Sequence, residues 1–180
     1  EITANLTMGA TKYNYSNPNS PLTNSFRYWY VDAKVILPKT MAISFFSGVA
    51  FYGFGVGAWQ RMQITTITPP NPADIENASQ TSAPQGSGAF FTPDKNIGFG
   101  FKVLAVIGTY PEPKAFNCDA ALNAEFTTSG GLNKIWFDLD FWAMAGLLER
   151  SDAPVTGEVL IQYIPPSKIF DIQARAKIIY

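Results

Sequence analysis

Histidine is absent from all 180 residues. With it go the commonest general base, the commonest zinc ligand and every nucleophile that relies on a neighbouring imidazole. Cysteine occurs once, as Cys118, so no internal disulfide can form and stability must come from secondary structure and packing. Cys118 shares its parity with Ala120, Leu122 and Ala124, which reads as a small buried hydrophobe. Charge is sparse: 13 basic against 14 acidic residues give a net charge of −1, and no run of Lys or Arg forms the footprint that a nucleic-acid partner requires. There is no uninterrupted stretch of about eighteen apolar residues, the length a membrane helix needs, and no charged segment leading into an apolar one at the N-terminus. The chain opens on Glu1-Ile2-Thr3-Ala4 and stops inside a strand pattern at Tyr180. That is the form expected of a mature product or of a module cut from a larger protein.

What is present is alternation. Phe170, Ile172, Ala174, Ala176, Ile178 and Tyr180 fall on one side of an extended chain, and Asp171, Gln173, Arg175 and Lys177 on the other. The same period of two predicts strands over 2–8, 26–37, 43–67, 97–110, 116–128, 132–145, 155–163 and 169–180. Aromatic content of 14%, with 14 glycines and 13 prolines, suits many strands joined by tight turns. Ser129-Gly130-Gly131 is a hairpin signal. Pro165-Pro166-Ser167 closes the last hairpin, and 146–154 is a turn. The fold class is therefore all-β: about eight mainly antiparallel strands forming a barrel, a sandwich or an open groove, in one domain over 1–180. A long polar loop at 69–95 interrupts it, with room for a short helix over 74–80, and a second turn-rich loop occupies 14–21.

Two glycine combs break the pattern. Phe51, Gly53, Gly55, Gly57 and Trp59 share one face, and Gly98 and Gly100 repeat the device. A bare backbone row implies a tight bend, a ligand, or aromatic rings from a neighbouring strand lying against it.

The apolar rows must be covered by something. They face a core or groove, or they face lipid in an eight-stranded membrane barrel, or neighbouring copies cover them. Strand lengths and sparse charge agree with the membrane barrel. Two features count against it: residues 45–56 are apolar on both faces, and no aromatic girdles stand out at the two ends of each strand.

The segments Phe26-Arg27-Tyr28-Trp29-Tyr30-Val31-Asp32-Ala33, Gly98-Phe99-Gly100-Phe101-Lys102 and Ala115-Phe116-Asn117-Cys118-Asp119, followed by Phe126 and Ser129-Gly130-Gly131-Leu132, resemble modules of very large secreted or surface proteins of Bacteroidetes-type bacteria. The resemblance implies an extracellular or cell-surface location and a modular context, and it brings no activity with it.

Chemistry is thin. Asp138 and Asp140 lie on one face of a strand, about 7 Å apart, and their plainest use is as solvated strand charges. No catalytic, metal or cofactor residues are assigned. The candidate ligand contacts are the aromatics Tyr28, Tyr30, Trp59, Trp136 and Trp142, since a row of rings on a sheet can stack sugars or apolar ligands. The leading expectation is a non-catalytic structural or adhesive module of a secreted or cell-surface protein, partnered by neighbouring copies or modules. A lipid- or glycan-binding β-groove and an outer-membrane β-barrel are the alternatives.

Overall fold

A computed structural model describes residues 1–13, 24–65 and 90–178. The loop expected at 14–21, the possible helix at 74–80 and most of the polar stretch at 69–95 lie outside the described residues. Eight long strands form one antiparallel sheet in chain order: β1 (Ile2–Tyr13), β2 (Asn24–Ile36), β4 (Val49–Gln60), β7 (Ile97–Thr109), β8 (Phe116–Thr127), β9 (Leu132–Ala143), β10 (Val155–Ile164) and β11 (Ile169–Ile178). Each pairs with the next. A short β3 (Ile43–Phe46) folds back on β4, and β5 (Met62–Thr65) pairs with β6 (Phe90–Pro93) as a separate two-stranded ribbon. The sheet is not closed, because no pairing joins β1 to β11.

The stretch expected as one strand over 43–67 is three. Gly48 turns the chain at φ 81°, a left-handed conformation that glycine adopts without the Cβ clash other residues suffer, and Arg61 interrupts it again at φ 53°. The β8–β9 turn forms where Ser129-Gly130-Gly131 predicts it. Gly130 takes φ 86°, and the Thr127 amide donates to the Gly131 carbonyl at 2.8 Å.

Register decides the character of each face. Passing from each residue to its partner on the next strand, one line runs Ala4, Ala33, Val56, Val103, Leu122, Phe137, Ile161, Ile172. The adjacent line runs Asn5, Asp32, Gly57, Lys102, Asn123, Trp136, Gln162, Asp171. The first is wholly apolar, and the second carries charge, amide and indole groups across the same eight strands. Since side chains alternate faces along each strand, the sheet has one apolar and one polar face.

The sheet curls so that the polar face is inside. Tyr30 of β2 and Trp59 of β4 pack against Trp136 of β9, together with Met62 and Ile97, and half-buried Tyr28 and Leu160 border the cluster. Meanwhile Leu6, Val31, Val56, Val103, Leu122 and Ile172, all on the apolar face, are exposed. A second interior cluster near the other end joins Tyr52, Leu104, Val106 and Ala121 to Leu147 of the β9–β10 connection. This arrangement is inside-out relative to a water-soluble sandwich, whose charges face solvent.

The glycine combs resolve differently from one another. A Cβ on Gly100 would meet the Trp59 ring at 2.1 Å, so an aromatic from the neighbouring strand covers that backbone. Gly55 and Gly57 instead border Leu104, Lys102 and Asp32 of the adjacent strands, with no ring over them. Pairing shifts between Phe51 and Gly53, which leaves Tyr52 as an extra, fully buried residue. Phe51 therefore leaves the glycine row expected for it and stacks on Phe45, with centroids 4.4 Å apart. The apparent two-sided apolarity of 45–56 has the same cause: a hairpin and a bulge, with glycines supplying the inner row.

Candidate functional site: the charged interior and its two caps

Pairing determines which charges this interior can hold, because a buried charge is costly unless it is paired and hydrogen-bonded. Asp119 of β8 is the hub. Its Oδ1 accepts from Arg150 Nη1 at 2.8 Å, and its Oδ2 accepts from Lys34 Nζ of β2. Lys34 is paired with Gly55 and reaches past two intervening strands to Asp119.

Arg150 comes from the β9–β10 connection, in a short 3-10 turn spanning Arg150–Asp152. Besides Asp119 it donates through Nε to Asn117 Oδ1 at 2.7 Å, and its guanidinium carbon lies 4.0 Å from the centroid of the Trp142 ring. Asn117, fully buried, spends its amide on the Pro113 and Ala145 carbonyls at 3.1 and 2.8 Å. Ala145, Leu147 and Ala153 of the same connection are buried. This connection is a cap folded into one mouth of the curled sheet.

Further along the interior, Lys102 lies in the field of Asp138, Asp32, Asp140 and Asp119. Asp138 Oδ2 accepts from Trp136 Nε1 at 2.9 Å and from Asn123 Nδ2 at 3.0 Å, while Asn5 Nδ2 donates to Asp32 Oδ1 at 2.8 Å. Asp119, Asp140, Glu158 and Arg175 form a line across β8 to β11. Two of its acids have cations: Asp119 as described, and Glu158 through Arg175 at 3.0 Å. The Trp59 and Trp136 rings, 6.2 Å between centroids, fill the far end with Tyr30.

Of the five candidate aromatics, Tyr30, Trp59 and Trp136 join in one cluster, each at most 1% exposed. They do not form the exposed platform anticipated for them. Tyr28 borders that cluster and covers Gly9. Trp142 stands apart at the capped end, beneath Arg150, and lines a cavity of about 310 Å³ with Asp140, Thr156, Glu158, Arg175 and Lys177. Asp138 and Asp140 do share a face, but it is the inner one, and Asp138 is bound by neighbours. Sequence reasoning gave no role to Lys34, Lys102, Asn117 or Arg150, and considered Asp119 only as a weak calcium contact beside Asp138 and Asp140. The one available signal was the recurrence of Asp and Lys at inner parity on several strands.

The outer face carries rings at two levels. Near the β8–β9 turn are Trp29, Phe99, Phe101, Phe126, Tyr163 and Phe170, with Trp29 and Phe99 centroids 6.4 Å apart and Phe101 and Phe126 6.3 Å apart. Near the opposite end are Phe45, Phe51, Phe54, Tyr110, Phe116 and Phe141, with Phe116 and Phe141 at 6.0 Å. Between Phe116 and Phe126 the chain spans about 33 Å along β8, which a strand tilt of about 40° projects to about 25 Å.

In the loops at that opposite end, Lys39 Nζ holds both Glu112 oxygens at 2.8 Å, tying the β2–β3 and β7–β8 connections together. That hydrogen bond holds the Glu112 carboxyl below the usual carboxylate range. No helix among the described residues is long and apolar enough to cross a membrane. Comparisons with protein-family models, with curated proteins and with solved structures find no match to this chain.

Proposed function

We propose that this chain is a membrane-spanning β-barrel of the outer-membrane type, in which eight strands cross the bilayer, the apolar face meets lipid and the charged face fills the interior. The observation that carries this reading is the alternation of wholly apolar and polar lines across all eight strands, with the apolar ones outside. Strands of 10 to 13 residues match the thickness, and the two levels of rings match the aromatic girdles of such barrels. In water, the same exterior would be an apolar patch far larger than a soluble monomer tolerates.

The interior is filled at both ends, by the Arg150 cap and by the Trp59–Trp136 cluster. The role that follows is a non-catalytic membrane anchor or scaffold at the cell surface rather than a diffusion pore, in keeping with the surface location that the sequence resemblance implied. The test is refolding from denaturant into phosphatidylcholine vesicles followed by flotation. The reading predicts a strand-rich chain that floats with the vesicles and adds no ion conductance to a planar bilayer.

The unpaired β1 and β11 edges, with the cavity under Trp142, favour a second reading: a lipid-binding groove that stays open in water. A detergent-free soluble monomer carrying acyl lipid would favour that groove.

A further inference from the structure

We infer that β1 and β11 zip together in the bilayer in one definite register, Ala10 opposite Ala174, closing the seam that the structure leaves open. This rests on the bilayer reading, since hydrocarbon does not tolerate a row of unpaired backbone groups at a sheet edge. The occupant of each edge is the other edge of the same chain. With eight strands alternating in direction, β1 and β11 run antiparallel to each other, and each presents an apolar row outside and a polar row inside.

The register follows from those already present. Starting at Ile2, the line of partners passes through Val35, Phe54, Ala105, Ala120, Leu139 and Val159 to Ala174. Ile2 begins its strand, whereas Ala174 lies well inside β11, so the line climbs toward the β10–β11 turn as it goes round. An eight-stranded ring tilted about 35–45° carries that climb to about eight or ten residues per circuit. Odd offsets are excluded, because they would set the inner row of one strand against the outer row of the other. Ala174 therefore meets Ala10 or Lys12. Lys12 is the charged residue on the outer row of β1, and the larger offset draws it deeper into the apolar band, opposite Ala174. The smaller offset leaves it opposite Ile172, nearer the interface, where its ammonium can reach headgroups.

In this register Met8 faces Ala176 and Leu6 faces Ile178. Directly opposed residues are close enough for a disulfide, and those offset by two are not. The test uses the full chain with Cys118→Ala, refolded into phosphatidylcholine vesicles and oxidised. One form carries Met8→Cys with Ala176→Cys, a second Leu6→Cys with Ile178→Cys, and a third, shifted form Met8→Cys with Ile178→Cys. The first two are expected to give an intramolecular disulfide, seen as a faster-migrating band that reductant reverses, and the third is not. A disulfide in the third form alone overturns the register. Crosslinks only between molecules, or none in a chain that floats, overturn self-closure while leaving the bilayer reading intact. A chain that never floats overturns both.

Discussion

Arg150, from the connection after β9, places Nη1 2.8 Å from Asp119 Oδ1, while Lys34 of β2 holds the other oxygen of the same carboxylate. One acid thus joins a cap and two distant strands. Asp119→Ala strands two cations in a largely buried setting and should cost about 3–5 kcal/mol. Unfolding by guanidinium in detergent micelles checks this, with Asp152→Ala, on the exposed part of the same connection, expected to shift stability by no more than about 0.5 kcal/mol.

Leu122 and Gln173 test the two faces separately. Leu122 is 46% exposed on the apolar face near the middle of β8, and Gln173 lies on the polar face of β11. Leu122→Arg should destabilise the bilayer-inserted state by about 2–4 kcal/mol, the cost of a cation facing mid-bilayer lipid. Gln173→Arg should change it by about 0.5 kcal/mol or less. Reversible unfolding from vesicles reads both, and equal effects would contradict the assignment of faces.

The glycines divide by what lies over them. A Cβ on Gly100 would strike Trp59 at 2.1 Å, whereas one on Gly57 would meet its nearest neighbour, Asp32 Cβ, at 3.3 Å. Gly100→Ala should cost about 1–3 kcal/mol by displacing the indole from its cluster. Gly57→Ala should cost less, and near-ultraviolet circular dichroism should change only for Gly100→Ala.

Glu112 supplies a pH dependence. Its folded-state value is depressed by Lys39, so the link contributes fully above the ordinary carboxylate value, about 4.3, and is lost as pH falls through the lower folded value. Hydrogen exchange of 37–48 and 110–115, after correction for its intrinsic pH dependence, should accelerate on acidification through that window. Glu112→Gln should show the faster exchange already at neutral pH.

The presence of strands was legible in the sequence because alternation is local: Asp171, Gln173 and Arg175 oppose Ile172, Ala174 and Ala176 whatever the rest of the chain does, although β1, expected over 2–8, runs on to Tyr13 and β4 lay hidden in a single expected strand over 43–67. Which row faced inward was not legible. Only cross-strand register brings Asp32, Lys102, Asn123 and Asp171 into one line and separates them from Val56, Val103 and Leu122. The two levels of rings were hidden for the same reason, since Trp29 and Phe99 are brought side by side only by cross-strand pairing. The extra residue at Tyr52 reverses parity within a strand, which no period-two count detects, and Arg150 enters the interior from a turn that alternation cannot describe.

The central claim is that the apolar face meets lipid, and β7 tests it most directly. Spin labels placed singly at positions 102 to 105 in the Cys118→Ala chain, refolded into vesicles, can be probed with dissolved oxygen and with a water-soluble nickel chelate. The account predicts that labels replacing Val103 and Ala105 collide readily with oxygen and poorly with the chelate, while those replacing Lys102 and Leu104 collide poorly with oxygen. Labels at 103 and 105 as open to the chelate as to oxygen would contradict it.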